Sequence, residues 1–235
     1  MPRFVTFLAF VSLWTCPALA AGGVLDASFP AGKLKAVEVT SRTGDVHIRG
    51  ARNSARVHAT RSAEGCQVDS KVDGTTLVVT VADVGGCRVD LDVFVPMGVK
   101  TTLRAQVGNV FISGVRAPIS LQIDQGSAVV GGVLDMLDAH ITRGSLSAQG
   151  LTNSANVSIN NGNVQLFYEK PKPHGAVSLD IGRGNATITL QAPAVDVQAT
   201  TPKGRVESAL PQAAGADLSV LGQVGEGSVF VRQAR

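Results

Sequence analysis

One glycine, returning at a fixed interval, limits this chain more than any other feature of its sequence. Gly108, Gly126, Gly144 and Gly162 are each eighteen residues from the next. Small or apolar residues hold fixed places around them. Five before the glycine come Leu103, Leu121, Ala139 and Val157; three before come Ala105, Ile123, Ile141 and Ile159. Two after are Val110, Ala128, Leu146 and Val164; four after are Ile112, Val130, Ala148 and Leu166. Alternation with period two on both sides predicts half-buried strands. The fixed interval predicts a repeat architecture, in which each unit is buried by its neighbours. The frame continues with looser spacing at Gly184, occurs once early at Gly44, and fades through Gly204 and Gly227.

Two geometries share this register. A two-residue hairpin would pair the flanking strands, and Asn161-Gly162 is the preferred sequence for its type I′ turn. The other units read Gln125-Gly126, Arg143-Gly144, Arg183-Gly184 and Lys203-Gly204, and Gln, Arg and Lys resist the positive φ that such a turn needs at its first position. A bend that sends the next strand into another sheet needs only the glycine to be unusual. The expected fold is all-β: a β-solenoid of glycine-centred repeats about eighteen residues long, with an N-terminal β cap. Gly44, Gly108, Gly126, Gly144, Gly162 and Gly184 are its turn glycines. An antiparallel β-sandwich of hairpins is the alternative.

The chain divides into three parts. Residues 1–20 read as a signal peptide, with Arg3, an apolar run from Phe4 to Trp14 and the small-x-small site Ala18-Leu19-Ala20. Cys16 fits a lipobox poorly, because Trp14 and Thr15 stand where small residues are needed. Residues 21–99 form the cap and 100–235 the repeats, as one continuous domain. No later run reaches eighteen apolar residues, so no transmembrane helix is expected in the mature chain. Export, to the periplasm or the cell surface, leaves Cys66 and Cys87 as the only cysteines. An isolated pair in an oxidising compartment predicts a disulfide. A reactive or metal-binding pair is the lesser reading, since neither cysteine belongs to a CxxC motif.

A formal charge of +3 is far from the basic excess of a nucleic-acid binder. One local excess stands out: Arg42, Arg49, Arg52, Arg56 and Arg61, relieved only by Asp45. It could face an anionic envelope polymer or an envelope protein. The alternative is a solvated surface that protects edge strands from pairing.

The stretch VDLDVFVPMGVKTTLRAQVGNVFISG, followed by LQIDQGSAVVGG and AHITRGSLSAQG, resembles the putative adhesin family of bacterial envelope proteins. The resemblance rests on a strand ending in Val95-Pro96-Met97-Gly98-Val99 and on the glycine-centred units after it, and it spans roughly residues 35 to 235. It implies a β-strand-repeat, adhesin-like head domain and carries over no catalytic or ligand residue.

Chemistry is sparse. Polysaccharide-cleaving solenoids converge carboxylates on one face, but Asp124 and Asp180 occupy different places in their units. Asp90 and Asp92 share one strand face. His47, His58, His140 and His174 lack any zinc-ligand spacing, and no GxSxG elbow or phosphate loop occurs. The expectation is no enzyme, no catalytic or metal residue and no cofactor. The column after the glycines, Asn109, Ser127, Ser145, Asn163 and Asn185, reads either as a polar binding strip or as a ladder bonding to neighbouring backbone. Scarce aromatics argue against sugar recognition and favour the ladder. The expected function is an exported, non-enzymatic envelope scaffold or adhesin-like interaction module. A polysaccharide-active β-helix enzyme and a ligand-binding β-sandwich are the alternatives.

Overall fold

The computed structural model describes residues 24–61, 66–82 and 86–234, with backbone alone at 133 and 134. The expected signal peptide and Cys16 lie outside these residues. Apart from one turn of 3-10 helix, Ala31–Lys33, every described element is a strand. The N-terminal part holds β1 (Val24–Phe29), β2 (Ala36–Thr43), β3 (Val46–Ala51) and β4 (Ala55–Arg61). It continues with β5 (Gln67–Asp73), β6 (Thr76–Ala82) and β7 (Val89–Pro96). The repeats then come as pairs: β8 (Lys100–Val107) with β9 (Val110–Ser113), and β10 (Ile119–Gln125) with β11 (Ala128–Leu134). Next are β12 (Leu137–Arg143) with β13 (Leu146–Leu151), and β14 (Ala155–Asn161) with β15 (Val164–Tyr168). After β16 (Gly175–Arg183) and β17 (Ala186–Leu190) come β18 (Asp196–Thr200), β19 (Val206–Ser208), β20 (Leu218–Glu226) and β21 (Val229–Gln233).

These strands form two mixed sheets, neither closed into a barrel, in a sandwich-like layout over one hydrophobic core. The larger has eleven strands in the order β1-β4-β7-β3-β9-β11-β13-β15-β17-β21-β19. The smaller has ten, in the order β18-β20-β16-β14-β12-β10-β8-β2-β6-β5. In every repeat the strand before the glycine belongs to the smaller sheet and the strand after it to the larger. Glycine-centred hairpins are therefore absent, even at Asn161-Gly162: β14 pairs with β12 and β16, while β15 pairs with β13 and β17. All four pairings are parallel, with Val157 opposite Ala139 and Leu166 opposite Ala148, so each unit lies directly on the last. Among the described residues antiparallel pairing occurs only at the N-terminal end, in β1–β4, β4–β7 and β5–β6.

Gly162 shows why the repeat tolerates no other residue at its bend. Its φ is +152°, and a Cβ there would overlap the carbonyl oxygen of Gly144. The same overlap links Gly108 to Gly44, Gly126 to Gly108, Gly144 to Gly126 and Gly184 to Gly162. Backbone sits on backbone along the whole column, and a side chain would force the units apart. The inward positions read from the sequence are filled as expected. Leu103, Leu121, Val157, Ile159, Val164 and Leu166 are at most 2% exposed, and each such side chain stabilises by about 1.5–3 kcal/mol.

Chain order departs from stack order at both ends. β2 lies between β6 and β8, and β3 between β7 and β9, so the Gly44 unit is interior to the stack. At the other end the last unit, β20 with β21, enters between β16–β17 and β18–β19. The expected disulfide is present: Cys66 and Cys87 are bonded across a sequence separation of 21, just before β5 in one sheet and β7 in the other. Closing a loop of that length stabilises by about 3 kcal/mol, chiefly by restricting the unfolded chain.

Candidate functional site

The position after each glycine builds a continuous hydrogen-bonded ladder along one edge. The Asn109 N–H donates to Asp45 Oδ1 at 2.8 Å, and the Ser127 N–H to Asn109 Oδ1 at 3.2 Å. Ser145 N–H donates to Ser127 Oγ at 3.2 Å, Asn163 N–H to Ser145 Oγ at 3.3 Å, and Asn185 N–H to Asn163 Oδ1 at 2.9 Å. Ser228 N–H continues it onto Asn185 Oδ1 at 2.9 Å, and Arg205 N–H onto Ser228 Oγ at 3.3 Å. At its start the Asp45 N–H donates to Asp90 Oδ1 at 2.8 Å. These side chains are engaged with their neighbours' backbone, which is the ladder reading of the column. Charge gathers at its two ends. Arg88 pairs with Asp45 at 2.8 Å and Asp90 at 3.2 Å. Glu226 lies between Lys203 at 2.6 Å and Arg183 at 3.1 Å, and Lys203, with help from Arg183, holds its carboxyl below the usual carboxylate range.

The five arginines are divided between the two sheets, one on the smaller and four on the larger or its β3–β4 turn. Arg42 projects from the ten-stranded sheet into a cleft of about 530 Å³ that Arg104, Gln122 and Asp124 also line. Arg49 and Arg56 project from the other sheet, on strands either side of Phe94. Arg49 lies 3.3 Å from Asp92 Oδ1 without hydrogen-bonding geometry and 5.8 Å over the Phe94 ring. Arg56 holds Asp26 with both Nε and Nη2, and this hydrogen bonding lowers the Asp26 pKa. Arg52 occupies the turn between β3 and β4, and Arg61 Nη1 donates to the Cys66 carbonyl at 2.9 Å. Only Arg42 is set apart, because β2 belongs to the ten-stranded sheet, whereas β3, β4 and the turn between them keep the other four with the eleven-stranded one.

The carboxylates also stay apart. Asp124 on β10 and Asp180 on β16 are separated by β12 and β14, three strand spacings or roughly 14 Å. Among the described residues no three His, Cys, Asp or Glu side chains form a group able to hold a metal ion. No described helix is long and apolar enough to cross a membrane. Tyr168 is fully buried, its hydroxyl has no partner among the described residues, and burial raises its pKa.

What the sequence reading missed is where the few aromatic rings go. Phe94, Phe111, Phe167 and Phe230 alternate with buried residues of β7, β9, β15 and β21, so all four face outward from the eleven-stranded sheet. The outward positions of the ten-stranded sheet are mostly polar or charged, with Val78 and the 40% exposed Leu221 among the exceptions, and carry no Phe, Tyr or Trp among the described residues. Three of the rings have cationic or imidazole neighbours. His47 stacks on Phe111 with centroids 4.7 Å apart, and Arg205 and Arg232 lie 5.8 and 5.5 Å from the Phe230 centroid. Val129, 43% exposed, extends the apolar line next to Phe111. The signal was available, since Phe111 and Phe230 each stand three residues after a column glycine, at a position that must point outward.

No family model matches the chain, and no curated protein matches it. Solved structures similar to it include a putative adhesin from Bacteroides fragilis, 9% identical over 90% of this chain and 97% of that one, with a TM-score of 0.47. Others are a putative cell adhesion protein from Clostridium sporogenes (12% identity, 90% and 99% covered, TM-score 0.44) and a putative adhesin from Parabacteroides merdae (15%, 91% and 97%, TM-score 0.44).

Proposed function

We propose that this chain is an exported, non-enzymatic β-solenoid serving as an envelope scaffold or adhesin-like interaction module, and that it binds through the outer face of its eleven-stranded sheet. The observation that carries this reading is the sorting of Phe94, Phe111, Phe167 and Phe230 onto that one face. Outward rings in two neighbouring rows, with Val129 beside Phe111, on a largely polar surface favour association over solvation. Parallel pairing with one unit over the next, and the unbroken glycine column, support the solenoid description. The buried disulfide suits an oxidising compartment, and separated carboxylates favour binding over hydrolysis.

Crosslinking from intact envelopes tests this. Wild type is compared with Phe111→Ser/Phe230→Ser and with a control on the opposite sheet, Arg104→Ser/Gln122→Ser. The expected result is loss of crosslinked material for the phenylalanine variant alone. Equal recovery by all three proteins rejects this face as the binding surface.

A further inference from the structure

Between the rings of the larger sheet lies a shallow groove with a chemistry of its own. Six outward side chains on three adjacent strands line about 290 Å³ of space: Ser147 and Gln149 on β13, Gln165 and Phe167 on β15, and Thr187 and Thr189 on β17. The parallel register makes them a grid, with Ser147, Gln165 and Thr187 in one row and Gln149, Phe167 and Thr189 in the other. None of the six is charged. None of their hydroxyl or amide groups makes a side-chain hydrogen bond among the described residues, unlike the ladder residues along the bend edge. The ring of Phe167 sits in the middle of one row, with donors and acceptors on both sides. On the next strand Gly131 stands opposite Gln149 and leaves that side open.

We infer that this grid is a saccharide subsite, for one or two residues of a neutral, linear polysaccharide lying across the strands. Deepening the reading above, it rests on the same face. A sugar ring offers an apolar face to stack on a phenyl ring and a rim of hydroxyls that both donate and accept. Five neutral hydroxyl and amide side chains around one ring match that pattern. A carboxylate or phosphate ligand would find no cation within the grid, and a lipid chain would leave its polar groups unpaired. The face continues the pattern along the stack. Phe111 is three strands from Phe167 and Phe230 two strands beyond it, both one row over in the register, roughly 16 and 12 Å away once two residues along the strand are added to the strand spacings. Successive rings could thus serve successive parts of one polymer. The scarcity of aromatics that argued against sugar binding in the sequence is offset by their collection on one surface.

Amide chemical shifts of ¹⁵N-labelled protein, residues 21–235, test the assignment. The probes are cellohexaose, maltohexaose and hexa-N-acetylchitohexaose as neutral chains and hexagalacturonate as the acidic one. At least one neutral hexamer is expected to shift amides of β13, β15 and β17 with Kd below about 1 mM. Phe167→Ala and Gln165→Ala should each weaken it by about tenfold or more, while Gln122→Ala on the opposite sheet leaves it unchanged. Should Phe167→Ala lose its folded spectrum, Gln165→Ala alone decides. The assignment is overturned if no neutral hexamer binds, if only hexagalacturonate binds, if the shifted amides lie in the ten-stranded sheet, or if the grid variants bind as wild type. If saccharide binding fails while envelope crosslinking still depends on Phe111 and Phe230, the subsite is wrong and the broader reading stands.

Discussion

The two ends of the stack close the same kind of opening in unlike ways. At the N-terminal end the strand direction changes: β1 and β4 extend the larger sheet antiparallel, and β5 pairs antiparallel with β6. A disulfide ties the two sheets together there, and Arg56 locks β4 onto Asp26 of β1. At the C-terminal end pairing stays parallel, and it is the order that changes. The regular unit, with Gly227, Val229 and Val231 in repeat register, sits against the stack, while the three-residue β19 and its partner β18 lie outermost. Val197, Ala199 and Val206, half-buried, form part of that last surface. An interior unit is templated on both sides, whereas an end unit must stop the pattern. One end stops it with reversed direction and a covalent bond, the other with a strand too short to recruit another easily.

Removing the inserted unit breaks this comparison most severely. Deletion of residues 218–235 takes away Leu218, Val220, Val224, Val229 and Val231, all at most 1% exposed, together with the sheet partners of β18 and β19. At about 1.5–3 kcal/mol per side chain the loss rivals the whole stability of a typical domain. Hydrogen exchange should show residues 196–208 unprotected; retained protection there would mean that the outer unit can dock directly on β16 and β17. A break midway asks whether the ends are independent. Gly162→Ala should cost about 3 kcal/mol or more through overlap with Gly144, whereas Gly98→Ala, with open space around it, should be near neutral. Two separate melting transitions in Gly162→Ala would show that the halves stand alone.

Reducing the disulfide, or replacing both cysteines by serine, probes the N-terminal closure. A loss of about 3 kcal/mol should lower Tm by roughly 6–12 °C and speed exchange in β4 to β7 while the C-terminal units keep their protection. The smallest effects come from the exposed ion pairs. Both Asp26 and Glu226 have lowered pKa values, owing to Arg56 and to Lys203 with Arg183 respectively. Their contribution is therefore present above the ordinary carboxylate range, near pH 4, and is lost as pH falls through the lower folded values. Asp26→Asn and Glu226→Gln should each flatten the acid limb of Tm against pH, less so at high salt. An unchanged limb in either variant removes that pair from the account of its end.

Much of the interior was legible in the sequence. Val157, Ile159, Val164 and Leu166 were placed in the core by alternation alone, and Gln125, Arg143 and Arg183 beside their glycines argued against hairpins before any pairing was known. Stack order was hidden, because the motif around Gly227 fits beside Gly184 as well as the motif around Gly204 does, and a repeat carries no record of which neighbour it prefers. Arg42 left the arginine cluster for a related reason: β2 and β3 belong to different sheets, whereas Arg49 and Arg56, on β3 and β4, stay on one. The aromatic face was overlooked by counting rings in the whole chain and not asking which side of a strand each must occupy.

The insertion of β20 and β21 has a consequence in time. A chain that folds as it emerges, N-terminus first, delivers residues 196–208 before the residues they pair with. Stacking can run from the Gly44 unit through Gly184 as each segment arrives, and then it must wait. β18 and β19 remain without a sheet until residues 218–233 follow them out. Completion of the stack thus depends on the last-delivered strands, and a product cut short inside them would keep an unsealed end for proteases to find.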